Sequence, residues 1–88
     1  MKEEKWYIYM LRCQDNSIYT GITKNIERRY KQHVEGKGAK YTKIHKCKKI
    51  EIVFEEKSRS EALKLEYFLK QKSKLEKEKI IKLKKINP

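Results

Sequence analysis

Two cysteines, Cys13 and Cys47, are too few for a disulfide framework, so both thiols are expected to be free, as in a reducing compartment. No apolar run approaches the ~20 residues of a membrane span. The opening Met1 to Lys5 has no hydrophobic stretch of the signal-peptide kind. The expectation is a cytoplasmic protein with no membrane partner. No repeat, linker or low-complexity stretch divides the chain, and residues 1–88 read as one domain. A chain this short buries only about 60% of its unfolded surface, which leaves a thin core and few residues to spare for chemistry.

What the chain has in excess is positive charge. Lysine and arginine total 24 against 12 acidic residues, a formal net charge of +12. Charged residues make up 41% and hydrophobic ones 38%, a polar balance still within reach of a globular fold. Part of the excess is bland, because lysine suits solvated helix faces. Even so, a field of this strength attracts polyanions, and nucleic acid is the leading partner. An acidic membrane surface ranks lower, because no helix sets a large aromatic or leucine face beside its lysines.

Residues 6–13 (TrpTyrIleTyrMetLeuArgCys) are β-branched and aromatic and read as a strand. Gln14 to Ser17 are turn formers and 18–21 (IleTyrThrGly) makes a second strand, so the pair forms a β-hairpin. Asn25 can cap a helix that carries Glu27 in its first turn. On that helix Ile26, Tyr30 and Val34 form a narrow apolar stripe, Arg29 and His33 share one shoulder, and Arg28 points to solvent. Gly36 reads as the C-terminal cap. Residues 36–43 form a basic loop with room for a short helical turn, and 50–55 a third strand. Ser58 with Glu61, and Ser73 with Glu76, are capping-box signatures for helices running to about Lys72 and Lys84.

Several residues do not look purely structural. Glu66 lies at the edge of an apolar helix face, near Ala62, Leu63 and Leu69. A carboxylate partly buried there needs a lysine, an arginine or a metal, although a salt-bridged surface glutamate fits the pattern equally well. The six tyrosines are many for so small a chain, though strand tyrosines usually serve as amphipathic packing. A two-residue turn at Asp15–Asn16 would put Tyr9 and Tyr19 on opposite faces of the sheet; an odd loop or a bulge would put them on one face. His33 can contact phosphate or donate a proton, against the plainer reading of a satisfied, half-buried histidine. Cys13, His33, His45 and Cys47 are zinc-ligand types, but without a paired CxxC a zinc site is a poor reading. Lys37, Lys40, Tyr41 and Lys43 suit a backbone clamp after the first helix, with Tyr41 able to stack on a base, although each lysine alone also reads as a plain solvated side chain. The basic final helix, Lys74 to Lys85, extends the footprint or simply keeps the chain soluble.

TyrIleTyr at 7–9, TyrThrGly at 19–21, Arg29 on the next helix and Glu66 on a later one resemble the GIY-YIG nuclease superfamily. The stretch GlyIleThrLysAsnIleGluArgArgTyrLysGlnHis at 21–33, followed by GlyLysGlyAlaLysTyrThr at 36–42, is similar to its small standalone members of the UPF0213 type. The resemblance spans about residues 5–80. It implies that Tyr9 and Tyr19 lie near the scissile phosphate and handle the proton of the attacking water. By the same resemblance Arg29 steadies the phosphate and Glu66 holds one divalent ion, Mg²⁺ or Mn²⁺. His33, from its place on the Arg29 shoulder, is expected in the catalytic set beside them. Tyr7 and Lys24 join the loop residues as expected nucleic-acid contacts. Two departures stand out. Some relatives have a lysine directly after the second-motif glycine, where this chain has Ile22. Certain repair-nuclease relatives carry an asparagine beyond the metal helix, where this chain has Ser73 and Lys74, and Asn87 is too distant to match.

The expectation is therefore an α+β domain, a three-stranded antiparallel sheet flanked by helices in the order β-β-α-β-α-α. Its expected function is a single-metal endonuclease acting on DNA, with RNA second, linked to DNA repair or processing. The alternative is a nucleic-acid-binding module that cuts little or not at all. A protein partner that supplies specificity is a further expectation, because the chain has no attached recognition domain.

Overall fold

A continuous run of large apolar side chains from Trp6 to Leu11 makes Trp6–Cys13 (β1) a strand buried on both faces, and a computed structural model describing residues 5–84 shows how its neighbours assemble. Ile18–Thr23 (β2) pairs antiparallel on one side and Cys47–Glu56 (β3) antiparallel on the other, in the order β2-β1-β3. Among the described residues four helices follow the hairpin: α1 (Ile26–Val34), α2 (Lys40–His45), α3 (Arg59–Lys70) and α4 (Lys74–Leu83). This is the expected β-β-α-β-α-α architecture, with the six-residue α2 as the helical turn of the basic loop. Met1 to Glu4, Lys85 and Asn87 lie outside the described residues.

The two faces of the sheet do different work. One carries Ile8, Met10 and Ile52, packed with Ala62 and Leu69 of α3 and Ile80 and Ile81 of α4 in a single buried cluster. Trp6, Ile18, Ile22, Phe54 and Leu65 close its margins. Burying each large aliphatic side chain contributes about 1.5–3 kcal/mol, so this face supplies most of the hydrophobic stability. Side chains alternate along a strand, so Tyr7, Tyr9, Leu11 and Cys13 lie on the other face, beneath α1 and α2.

A register shift opposite Met10 and Leu11 leaves Glu51 unpaired in the ladder. Its carboxylate accepts from Arg12 Nε at 3.0 Å, and both terminal nitrogens of Arg12 donate to Glu78. The fork ties α4 to the sheet end by charge-assisted bonds and holds the Glu78 carboxyl at about 2, with Lys74 as a second cause.

Capping follows the sequence signals. Asn25 accepts from the backbone N–H of Arg28, and Ser58 from that of Glu61. Ser73 and Glu76 complete a reciprocal capping box. At the end of α1 the N–H of Gly36 donates to the His33 carbonyl and that of Lys37 to the Gln32 carbonyl at 2.8 Å, with Gly36 at φ 74°. That Schellman arrangement turns the chain back toward the sheet. One expectation fails in detail. Val34 is 58% exposed, and the residue α1 buries is His33, so its inward face is centred on the Arg29–His33 shoulder and not on the Ile26–Tyr30–Val34 stripe. A hydrogen-bonding partner beneath the imidazole outweighs the apolar pattern. Among the described residues no helix is long and apolar enough to cross a membrane.

Candidate active site

The hairpin connection decides where the two tyrosines go. Cys13 N–H donates to the Ser17 carbonyl at 2.9 Å and Asn16 N–H to the Cys13 carbonyl at 3.0 Å. Gln14, Asp15 and Asn16 therefore form a three-residue loop, and Asn16 takes the left-handed conformation at φ 72°. With an odd loop Leu11 sits opposite Tyr19 and Tyr9 opposite Gly21. Tyr9 and Tyr19 consequently share one face, their ring centroids 6.2 Å apart.

α1 lays His33 onto this pair. The Tyr9 hydroxyl and His33 Nε2 are hydrogen-bonded at 2.7 Å, and His33 Nδ1 and the Thr42 hydroxyl likewise at 2.7 Å. Tyr9 is 2% exposed and His33 1%. Two glycines make the close packing possible. A Cβ on Gly21 would lie 2.6 Å from the Tyr9 hydroxyl, and one on Gly38 would lie 2.5 Å from His33 Nδ1.

Arg29, one turn before His33, bonds to Gln32 Oε1 through Nη1 at 2.9 Å and lies close to both phenols. Burial works against its charge, yet the phenols of Tyr9 and Tyr19 favour it and raise its pKa overall. Burial pushes the Tyr9 hydroxyl up to about 12; Arg29 opposes this, while the charges of Tyr19 and Glu66 reinforce it. Burial, joined by the Arg29 charge, pushes His33 down to about 4. Both members of the Tyr9–His33 pair are therefore neutral at pH 7.

Glu66 approaches from α3, its side chain only 17% exposed, with the Lys70 ammonium 3.5 Å away. Among the described residues no three His, Cys, Asp or Glu side chains gather into a ligand set. A single carboxylate suits Mg²⁺ or Mn²⁺, which keep most of their coordinated water, and not zinc, which needs three or four protein ligands. Glu66 can hold such an ion.

The remaining expected contacts are spread around this centre. Tyr7 lies on the same face, across from Thr23, and lines a shallow hollow with Lys24. The Lys24 ammonium sits 5.3 Å from the Trp6 ring. A cleft of about 260 Å³ lined by Thr23, Lys24, Asn25, Arg28, Arg29 and Gln32 opens beside Arg29, with three cations and no carboxylate in its wall. Lys40 and Lys43 are exposed on α2, and Lys37 pairs with Glu35 at 3.8 Å. The Tyr41 ring is already engaged, stacked on His45 at 4.1 Å and Tyr19 at 5.8 Å. His45 in turn pairs with Asp15 at the hairpin tip. Ser17 first, then His45, holds the Asp15 carboxyl at about 2. Cys13 and Cys47 face each other across β1 and β3 as free thiols. Sequence reading missed Thr42 and Gly38. Both stand in the 36–42 stretch whose lysines draw the eye in the sequence, and their role shows only where that stretch folds back onto His33.

Comparisons with known proteins point to one family. The model of the GIY-YIG catalytic domain matches residues 5–80. A UPF0213 protein of Fusobacterium nucleatum is 55% identical over 76 residues, covering 86% of this chain and 76% of that one. One from Limosilactobacillus reuteri is 41% identical over 83 residues, covering 92% and 86%. The solution NMR structure of a UPF0213 protein from Bacillus halodurans superposes with a TM-score of 0.60 at 40% identity, over 91% of this chain and 85% of that one.

Proposed function

The chain belongs to the GIY-YIG catalytic-domain family, and from that premise we propose that it is an endonuclease that hydrolyses phosphodiester bonds in DNA, with RNA second, using one divalent ion. The observation that carries the reading is the convergence of Tyr9, Tyr19, Arg29 and His33 from β1, β2 and α1 within reach of the Glu66 charge on α3.

Each group suits one requirement of the reaction. The Arg29 guanidinium binds the non-bridging oxygens and stabilises their growing charge in the transition state. Tyr9 and Tyr19 orient the attacking water and take its proton, with His33 behind Tyr9 as the next station. Glu66 would hold Mg²⁺ or Mn²⁺, which would supply positive charge against the charge developing on the phosphate. A resting pair of neutral phenol and neutral imidazole avoids burying charge before substrate arrives. Burial is the main cause that keeps His33 neutral and the Arg29 charge the lesser one, so a phosphate docked on Arg29 relieves only that lesser part. The basic cleft beside Arg29, with Lys24 and Arg28, suits the neighbouring phosphates, and Lys37, Lys40 and Lys43 extend the track. Tyr7 and Tyr41 flank this path as expected contacts. The role belongs to DNA repair or processing in the cytoplasm, with a protein partner adding specificity.

A binding module is the second reading, and one observation favours it: Ile22 packs against the apolar core and offers the tyrosines no cation. Labelled single-stranded, duplex, flapped and branched DNA, and RNA, incubated with Mg²⁺ or Mn²⁺, test the proposal. Metal-dependent cutting supports it and names the preferred substrate. Salt-sensitive binding of every form with no cutting would favour the binding module.

A further inference from the structure

We infer that Thr42 is a positioning residue that fixes which nitrogen of His33 carries the proton, and so sets the direction in which Tyr9 can pass its own. The inference rests on the proposed nuclease reading for its consequence, but not for its geometry. The Thr42 hydroxyl has one hydrogen to give, and its oxygen lies 2.9 Å from the Ala39 carbonyl oxygen, which also accepts the backbone N–H groups of Thr42 and Lys43. A carbonyl can only accept, so the hydroxyl hydrogen lying between the two oxygens is what makes their contact favourable. Toward His33 Nδ1, 2.7 Å away, the same oxygen can therefore only accept. Nδ1 must then carry the hydrogen. A neutral imidazole holds one proton, so Nε2 is the bare nitrogen, and it faces the Tyr9 hydroxyl at 2.7 Å as an acceptor.

The chain of donors runs one way, from Tyr9 through His33 and Thr42 to the backbone of Ala39. With that polarity Tyr9 can hand its proton to Nε2 while its oxygen takes one from water. With the opposite tautomer Nε2–H would point at the phenol, and the route would be closed. Ala39 is the N-cap of α2, and its carbonyl, which takes the first backbone bonds of the helix from Thr42 and Lys43, also lies within reach of the Thr42 hydroxyl. Gly38 lets this turn press against the imidazole edge, where any side chain would meet Nδ1. The whole segment from Gly38 to Thr42 thus serves one imidazole buried at the far side of the site.

Nitrogen-15 NMR of protein labelled at histidine tests this without any cleavage. Wild type at pH 7 is expected to show His33 with Nδ1 protonated and Nε2 bare, and Thr42→Ser the same pattern. Thr42→Val, which keeps the volume and loses the hydroxyl, is expected to shift the proton to Nε2 in part or whole. Its single-turnover cleavage should fall by roughly 10²-fold, the scale of a general-base contribution, with nucleic-acid affinity unchanged and activity retained in Thr42→Ser. A wild-type spectrum with the proton on Nε2 would overturn the inference even if the valine variant failed to fold. So would a valine variant that switches tautomer yet cuts at the normal rate. The expected tautomers in a wild type that cuts nothing would uphold the hydrogen-bond assignment and overturn the nuclease reading separately.

Discussion

Gly21→Ala adds a single methyl group where the site has no room for one. Gly21 lies in a strand with no positive φ, so the backbone accepts alanine and the effect is steric alone. The new Cβ would sit 2.6 Å from the Tyr9 hydroxyl, 2.8 Å from Tyr9 Cζ and 3.0 Å from Tyr19 Cε2. The tyrosine ring would have to retreat by roughly 0.7 Å to regain an ordinary carbon contact of ~3.5 Å. It cannot do so freely, being 2% exposed and bonded to His33. Overpacking of this kind costs about 1–3 kcal/mol, and about 2 is expected here. In a domain this small that lowers Tm by roughly 8–16 °C, read by thermal and urea unfolding followed by circular dichroism. A cycle with Tyr9→Phe isolates the cause. Removing the hydroxyl takes away the 2.6 Å contact and leaves the 2.8 Å one, so the alanine should cost about 1 kcal/mol less in that background. A glycine-to-alanine cost below about 0.5 kcal/mol, or an equal cost in both backgrounds, would refute the packing argument.

Three further outcomes are expected. Arg12→Met removes the cation that Glu51 and Glu78 share while each keeps a lysine, Lys49 at 3.4 Å and Lys74 at 2.9 Å, so urea unfolding should show a loss of about 1.5–3 kcal/mol. Thr20→Val should stabilise the fold by about 1 kcal/mol in the same assay, because the buried Thr20 hydroxyl has no hydrogen-bond partner among the described residues. His33 titrates near 4 when folded against an ordinary 6.5, so the unfolded chain takes up this proton first as pH falls. Its contribution is fully present above pH 6.5 and is lost on the way down to pH 4, up to about 3 kcal/mol, and a His33→Gln variant should lose this slope between pH 7 and 4.5.

The sheet was legible because its signals are local. Residues 6–11 are aromatic or aliphatic without a break, and the capping serines at 58 and 73 stand three residues before glutamates. The third strand runs three residues earlier than its hydrophobic run, from Cys47, because Cys47–Lys49 continues an edge strand whose lysines face water. Arg29 and Glu66 stood out as charges on half-apolar faces. Whether Tyr9 and Tyr19 shared a face hung on one residue of loop length, which composition does not reveal but the left-handed Asn16 decides. The burial of His33 was hidden for another reason. Its neighbours Thr42 and Gly38 arrive from a different helix, and a wheel drawn on α1 alone favours Val34. Long-range hydrogen bonds of that sort leave no periodic trace.

The most direct test of the central claim compares wild type with Glu66→Ala and Arg29→Ala, each purified identically, for single-turnover cleavage and for equilibrium binding of the same DNA. A phosphodiester hydrolase built on this cluster predicts metal-dependent cutting that falls by at least ~10²-fold in both variants, while Glu66→Ala binds as tightly as wild type. Cutting that persists in Glu66→Ala, or a wild type that binds the DNA and never cuts it under Mg²⁺ or Mn²⁺, would contradict it.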